Sequence, residues 1–130
     1  MSRAGLARHG VRRDACEKGI VWTLRKAGCI VYPLSGSGVP DLLVSTPWTG
    51  VSARVLGFEQ FNFLLECKDA DKGELTKAQR EFAAIWHGLY HIVSSPRDAL
   101  IAVTASDDIQ SAALIAYEAE LLKPKARQFK

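Results

Sequence analysis

The segment FNFLLECK, residues 61–68, carries the clearest structural signal in the chain. Polar and apolar residues alternate along it with a period of two, which is the periodicity of a β-strand. One face then carries Phe61, Phe63, Leu65 and Cys67, and the other carries Asn62, Leu64, Glu66 and Lys68. Glu66 and Lys68 therefore point the same way, about 6–7 Å apart. A carboxylate and an ammonium at the end of an apolar strand call for a partner.

The preceding segment, GSGVPDLLV over residues 36–44, supplies that partner. Its glycines and serine predict a tight loop, and Asp41 begins a second short strand. If the two strands pair antiparallel, Asp41 lies beside Glu66 and Lys68. Alone, a Glu-x-Lys pair on a strand is more often a solvent-exposed ion pair of little energetic value. Asp41 on the neighbouring strand favours a chemical role instead.

Helices and further strands extend outward from these two segments. The predicted elements are a helix over 14–26 ending at Gly28, strands over 29–33, 41–45 and 58–68, a helix with Thr76 as N-cap and Gln79 three residues later, a strand over 89–93, and helices over 95–103 and 107–122. This order predicts an α/β fold, a small mixed β-sheet flanked by helices (α-β-β-β-α-β-α order), in one domain spanning residues 1–130. Phe82, Ile85 and Trp86 are expected to pack in the core, and the last helix is expected to cover the sheet.

The composition limits the class of protein. Of 130 residues, 48% are hydrophobic and 24% charged, which is typical of a globular protein that is not in a membrane. The basic start has no apolar segment of a secretory signal, and we expect a cytoplasmic protein. Cys16, Cys29 and Cys67 lack a CxxC spacing, which favours reduced thiols over a disulfide or zinc framework. The net charge of +3 is concentrated in tails over 1–13 and 123–130, as suits an acidic partner.

The cluster of Asp41, Glu66 and Lys68 suits the hydrolysis of phosphodiesters. Two carboxylates bind a hard cation such as Mg²⁺ through oxygen and leave positions open for water and phosphate. The cation stabilises charge on the phosphate and acidifies the attacking water. A lysine alongside orients that water or neutralises the developing charge.

Several motifs together resemble the PD-(D/E)XK nuclease superfamily, and within it the VRR-NUC (virus-type replication-repair nuclease) domain. The matching residues are Pro40-Asp41, Glu66-Cys67-Lys68 and the helix start LTKAQ over residues 75–79. The resemblance covers about residues 17–100. It implies a restriction-endonuclease-like core and a DNA endonuclease dependent on Mg²⁺, for which Mn²⁺ would substitute.

The resemblance also implies roles for single residues. Asp41 and Glu66 would bind the metal together with the main-chain carbonyl of Cys67, and Lys68 would activate water. Gln79 would support the lysine or the scissile phosphate; the alternative is that it only completes the capping box with Thr76. Glu17 would bind a second metal ion or hold a metal-bound water, if it is more than a solvated helix residue. Candidate DNA contacts are Arg12, Arg13, Ser37, Lys72 and Lys77, with Trp48 and Arg54 as further possibilities in the spacer over 45–57.

Three functions remain open at this point. The first is a homodimeric nuclease for branched DNA such as a Holliday junction, acting in replication, repair or recombination. Its two-fold symmetry would match two cuts on a symmetric junction. The second is a restriction-like or nicking nuclease. The third is a DNA-binding module of the same fold whose metal site is vestigial, which the intact set Asp41, Glu66 and Lys68 disfavours.

Overall fold

The computed structural model describes residues 14–48, 62–71 and 74–124 of the chain. Four helices and four strands lie in these ranges: α1 Cys16–Lys26, β1 Ile30–Pro33, β2 Leu42–Ser45, β3 Asn62–Cys67, α2 Lys77–Ile85, β4 Tyr90–Val93, α3 Pro96–Val103 and α4 Asp107–Leu121. The predicted elements are therefore present, with ends shifted by one or two residues where both ends are described. Two helices follow the last strand, as predicted for residues 95–103 and 107–122.

The four strands form one mixed sheet in the order β1-β2-β3-β4. β2 pairs antiparallel with both β1 and β3, and β4 pairs parallel with β3 after the crossover through α2. Leu42 pairs with Leu65 across the β2–β3 ladder, which confirms the predicted antiparallel arrangement. The protein is thus an α/β fold with a small mixed sheet flanked by helices.

The core lies on one face of the sheet, beneath α1 and α3. Ile20 and Leu24 of α1 are fully buried, and so are Leu42 and Leu65 of the two central strands. The alternation predicted for residues 62–67 holds, because Phe63, Leu65 and Cys67 all belong to this core. Burial of each such side chain contributes about 1.5–3 kcal/mol. This packing fixes β3 with Glu66 on the opposite face.

Helix α2 lies against that opposite face, and here one prediction is wrong. Phe82 contacts the Tyr90 ring at 6.2 Å between centroids and stacks on Trp86 at 5.4 Å. Yet Ile85 is 72% exposed and Trp86 is 45% exposed. The helix is only nine residues long. Its apolar stripe is therefore only half covered, and no α2 residue that the structure describes is fully buried.

Helix α4 also departs from the prediction. It packs chiefly on α1 and α3 rather than covering the sheet, and Ala113 is its buried contact. The sheet face in question is already occupied by α1 and α3. Within the described ranges, no helix combines the length and apolar character needed to cross a membrane.

Candidate metal centre

Asp41 is held at the mouth of the β1–β2 hairpin. The Leu34 amide donates to the Asp41 carbonyl oxygen at 2.7 Å and closes the loop between the strands. Since Leu42 is level with Leu65, Asp41 is level with Glu66 on β3. Its carboxylate Oδ2 accepts a hydrogen bond from the Cys67 backbone N–H at 2.7 Å. The side chain is therefore fixed to the same strand end that carries Glu66 and Lys68.

Glu66 is a buried carboxylate, only 2% exposed. Its Oε2 accepts a hydrogen bond from Gln79 Nε2 at 3.0 Å, whereas its buried Oε1 has no hydrogen-bond partner among the described residues. Burial raises the pKa of Glu66 to about 8, with smaller contributions from the negative charge of Asp41 and a hydrogen bond with it. The positive charge of Lys68 lowers the same pKa. Two carboxylates this close repel each other unless a proton or a cation lies between them.

Gln79 is placed by the local structure at the start of α2. Thr76 Oγ1 accepts from the Gln79 backbone N–H at 3.1 Å, and Gln79 Oε1 accepts from the Thr76 N–H at 2.8 Å. This is the predicted capping box, and the amide nitrogen of the same side chain remains available for Glu66. A capping role and a site role therefore coexist in one residue.

The loop before Asp41 presses directly on this helix start. Gly38 has a φ of +78°, a conformation that non-glycine residues rarely adopt. A Cβ at Gly38 would lie 2.6 Å from the Ala78 carbonyl oxygen. Glycine is thus required for the close approach that brings Gln79 next to Glu66.

These groups share one cleft of about 270 Å³. Its floor is the end of β3, where the Lys68 amide donates to the Val93 carbonyl oxygen at 3.0 Å. The polar side chains that line it are Asp14, Ser35, Asp41, Glu66, Lys68, Thr76 and Gln79. All four predicted catalytic residues, Asp41, Glu66, Lys68 and Gln79, therefore line the same cleft.

Glu17 approaches the site from the first turn of α1 and is 7% exposed. A carboxylate oxygen of Glu17, one of Asp41 and the Sγ of Cys67 lie within 4.8 Å of one another. The structure thus brings the predicted acidic position of α1 to Asp41. It also adds the Cys67 side chain, whereas only the main-chain carbonyl of this residue was predicted.

Asp69, in the segment that follows β3, anchors the start of α1. Its carboxylate accepts from the Cys16 N–H at 2.9 Å and from the Ala15 N–H at 3.3 Å. In return, the Asp69 N–H donates to Asp14 Oδ2 at 2.7 Å. These bonds, which we call the Asp14–Asp69 clasp, satisfy backbone donors at the helix start that would otherwise lack partners. The clasp therefore links the first turn of α1, which carries Glu17, to Asp69, the residue that follows Lys68.

The Asp41–Glu66 pair fits a hard divalent cation. The two carboxylates are adjacent, and Oε1 of Glu66 is a buried acceptor with no hydrogen-bond donor among the described residues. Mg²⁺ and Mn²⁺ take oxygen ligands of this kind. The Cys67 main-chain carbonyl remains a ligand implied only by the resemblance.

The predicted DNA contacts have mixed outcomes. Arg12, Arg13, Lys72 and Arg54 lie outside the described residues. Ser37 is exposed in the turn before Asp41. Lys77 is exposed and lies 3.9 Å from Glu81, pointing along the helix surface and not among the cleft residues. Trp48 donates from Nε1 to the Val103 carbonyl oxygen at 3.2 Å and packs against the core, so its ring has a structural role.

The chain is thus an α/β protein whose cleft contains the buried carboxylate of Glu66 and the partly buried Lys68. No family model, curated protein or solved structure matches the chain.

Proposed function

We propose that the protein is a metal-dependent DNA endonuclease of the PD-(D/E)XK type, similar to VRR-NUC domains and built on a restriction-endonuclease-like core. The observation that carries the proposal is the convergence of Asp41, Glu66, Lys68 and Gln79 in one cleft. The order of elements around the cleft supports it, since Asp41 and the Glu66-x-Lys68 pair lie on adjacent antiparallel strands.

Each residue has a role in this mechanism. Asp41 and Glu66 would hold Mg²⁺, which would stabilise charge on the phosphate and acidify the attacking water. Gln79 donates to one oxygen of Glu66, and the other oxygen, which has no hydrogen-bond partner among the described residues, would be available to the ion. Lys68, anchored at the end of β3, would orient the attacking water and neutralise charge that develops on the phosphate.

A structure-selective nuclease for branched DNA, working as a homodimer in replication, repair or recombination, is the form of this proposal that we favour. The choice rests on the resemblance and on the two-fold symmetry that paired cuts require. The test is cleavage of end-labelled flap, four-way junction, duplex and single-stranded DNA, with Mg²⁺ or Mn²⁺ and with an EDTA control. Preferential, metal-dependent cutting of the branched substrates is expected. Preferential cutting of duplex would indicate the restriction-like alternative.

Measurement of metal binding distinguishes a nuclease from a DNA-binding module whose metal site is vestigial. Calorimetric titration with Mn²⁺ should show binding to the wild type that Asp41→Ala abolishes. Asp71→Ala is the matched control, because Asp71 is exposed and lies outside the cleft. Equal titrations for wild type and Asp41→Ala, with no cleavage of any substrate, would favour the binding module.

A further inference from the structure

Helix α4 carries apolar residues on all of its sides, yet the described residues cover only one of them. The covered side carries Ala113 and packs on α1 and α3. The opposite side carries two large apolar residues, Ile115 at 66% exposure and Leu122 at 84% exposure. A helix that is hydrophobic on every side is normally buried on every side. The uncovered side is therefore expected to pack against a surface that the described residues do not supply.

The uncovered side of α4 has a regular seam, which we define as Ala112, Ile115, Ala119 and Leu122. All four residues are exposed, and they follow one another at spacings of three, four and three residues. This is the spacing of the contact positions of a coiled coil, so the four side chains line up along one face of the helix. Small and large side chains alternate along the seam.

The seam is complementary to a second copy of itself. In an antiparallel pair of helices, Ala112 faces the partner's Leu122 and Ile115 faces the partner's Ala119. Both pairings are centred on the level of Tyr117, so one register satisfies both. Each large side chain then lies against a small one, which lets the helix axes approach to the roughly 8–10 Å of close helix packing. Self-complementarity of this kind is what a two-fold dimer requires.

The charges at the two ends of α4 favour the same antiparallel arrangement. The first turn of the helix carries Asp107 and Asp108, and Lys123 follows its last turn. In the antiparallel pair, the acidic turn of each copy lies at the same end as Lys123 of the other copy. Opposite charges then meet at both ends, and the two helix dipoles run in opposite directions. A parallel pair would place like charges side by side instead.

We propose that α4 is the contact surface of a homodimer, in which the seam of one copy packs antiparallel on the seam of a second copy. The inference specifies the two-fold contact of the homodimer in the proposed function, but it does not rest on nuclease activity. Two such helix faces bury less surface than the interface of a permanent dimer, so the dimer should exchange with monomers in the micromolar range.

Sedimentation velocity at protein concentrations between about 1 μM and about 1 mM measures the association without DNA. The wild type should shift from monomer to dimer over this range. Ile115→Glu should raise the dissociation constant by about thirtyfold or more, because it places two charges in the centre of the contact. Ile85→Glu is the matched control, since Ile85 is 72% exposed on α2 and lies outside the seam, and it should dimerise like the wild type.

Chemical cross-linking tests the antiparallel register. Glu118 and Ser111 are both exposed beside the seam. The two copies of Glu118 lie roughly 3 Å apart along the dimer axis, whereas the two copies of Ser111 lie roughly 18 Å apart. A short bismaleimide should therefore join Glu118→Cys into a covalent dimer, and this replacement also removes a like-charge pair. The same reagent should leave Ser111→Cys at the background level of the wild type with its native cysteines.

Circular dichroism establishes that each variant is folded, and Leu122→Glu takes the place of Ile115→Glu if the latter does not fold. A wild type that stays monomeric over the whole range would overturn the inference and leave the seam to a different partner. A dimer that survives Ile115→Glu, or equal cross-linking of Ser111→Cys and Glu118→Cys, would also overturn it. DNA cleavage is measured separately. A dimer that cuts no DNA would overturn the nuclease alone, and a nuclease that stays monomeric would overturn the seam alone.

Discussion

Replacement of Gly38 by alanine tests how the cleft is assembled. The left-handed φ of +78° costs an alanine about 1–2 kcal/mol. Its Cβ would also lie 2.6 Å from the carbonyl oxygen of Ala78, a backbone atom at the start of α2 that cannot rotate away. Forcing such a contact apart costs about a further 1–3 kcal/mol. We therefore expect Gly38→Ala to lower the free energy of unfolding by about 2–5 kcal/mol in total.

Gly28→Ala is the matched control for the backbone strain. Gly28 has a φ of +107°, but a Cβ there would meet only the side-chain Cγ of Pro47, at 3.3 Å. It should lose only the conformational part, about 1–2 kcal/mol. Urea unfolding monitored by circular dichroism measures both values. Equal losses in the two variants, or no loss in Gly38→Ala, would refute the proposed contact between the loop and α2.

Two further predictions concern the groups around the site. Asp69→Ala should lower the free energy of unfolding by about 0.5–2 kcal/mol and weaken Mn²⁺ binding, because it uncaps α1 and releases Glu17. Asp69→Asn should recover part of both quantities, and the control Asp71→Ala should change neither. A wild-type Mn²⁺ affinity in Asp69→Ala would contradict the role of the clasp. In metal-free buffer, Glu66 should make stability dependent on pH, because its raised pKa means that the folded chain binds this proton more tightly than the unfolded chain. Its stabilising contribution is complete below about pH 4.5 and is lost as the pH rises through about 8. Glu66→Gln should abolish that fall, and parallel urea midpoints for the two proteins between about pH 5 and about pH 9 would contradict it.

Local sequence patterns predicted the parts of the site that depend on neighbouring residues. Alternation along residues 62–67 assigned Glu66 and Cys67 to opposite faces, and the antiparallel pairing of two adjacent strands brought Asp41 level with Glu66. The capping box of Thr76 and Gln79 spans only three residues, so its signal is contained in the sequence.

Contacts between distant segments were not predicted, for physical reasons. Asp69 caps a helix that begins 53 residues earlier, so no local motif marks it as a cap. The Cys67 sulfur lies within 4.8 Å of a Glu17 carboxylate oxygen because the fold brings α1 to the end of β3. The spacing of the three cysteines in the sequence does not predict this contact. Ile85 has the apolar character of a core residue, yet its exposure depends on how far a short helix overlaps the sheet.

The most direct test of the central claim is the effect of Lys68→Ala on cleavage of a four-way junction in Mg²⁺. The proposed role of the lysine predicts a rate lower by about a hundred- to a thousand-fold, with DNA binding in EDTA unchanged. Lys26→Ala is the control, since Lys26 lies over the Trp22 ring at the end of α1 and is not among the cleft residues. Cleavage by Lys68→Ala at the rate of the wild type and of Lys26→Ala would contradict the account.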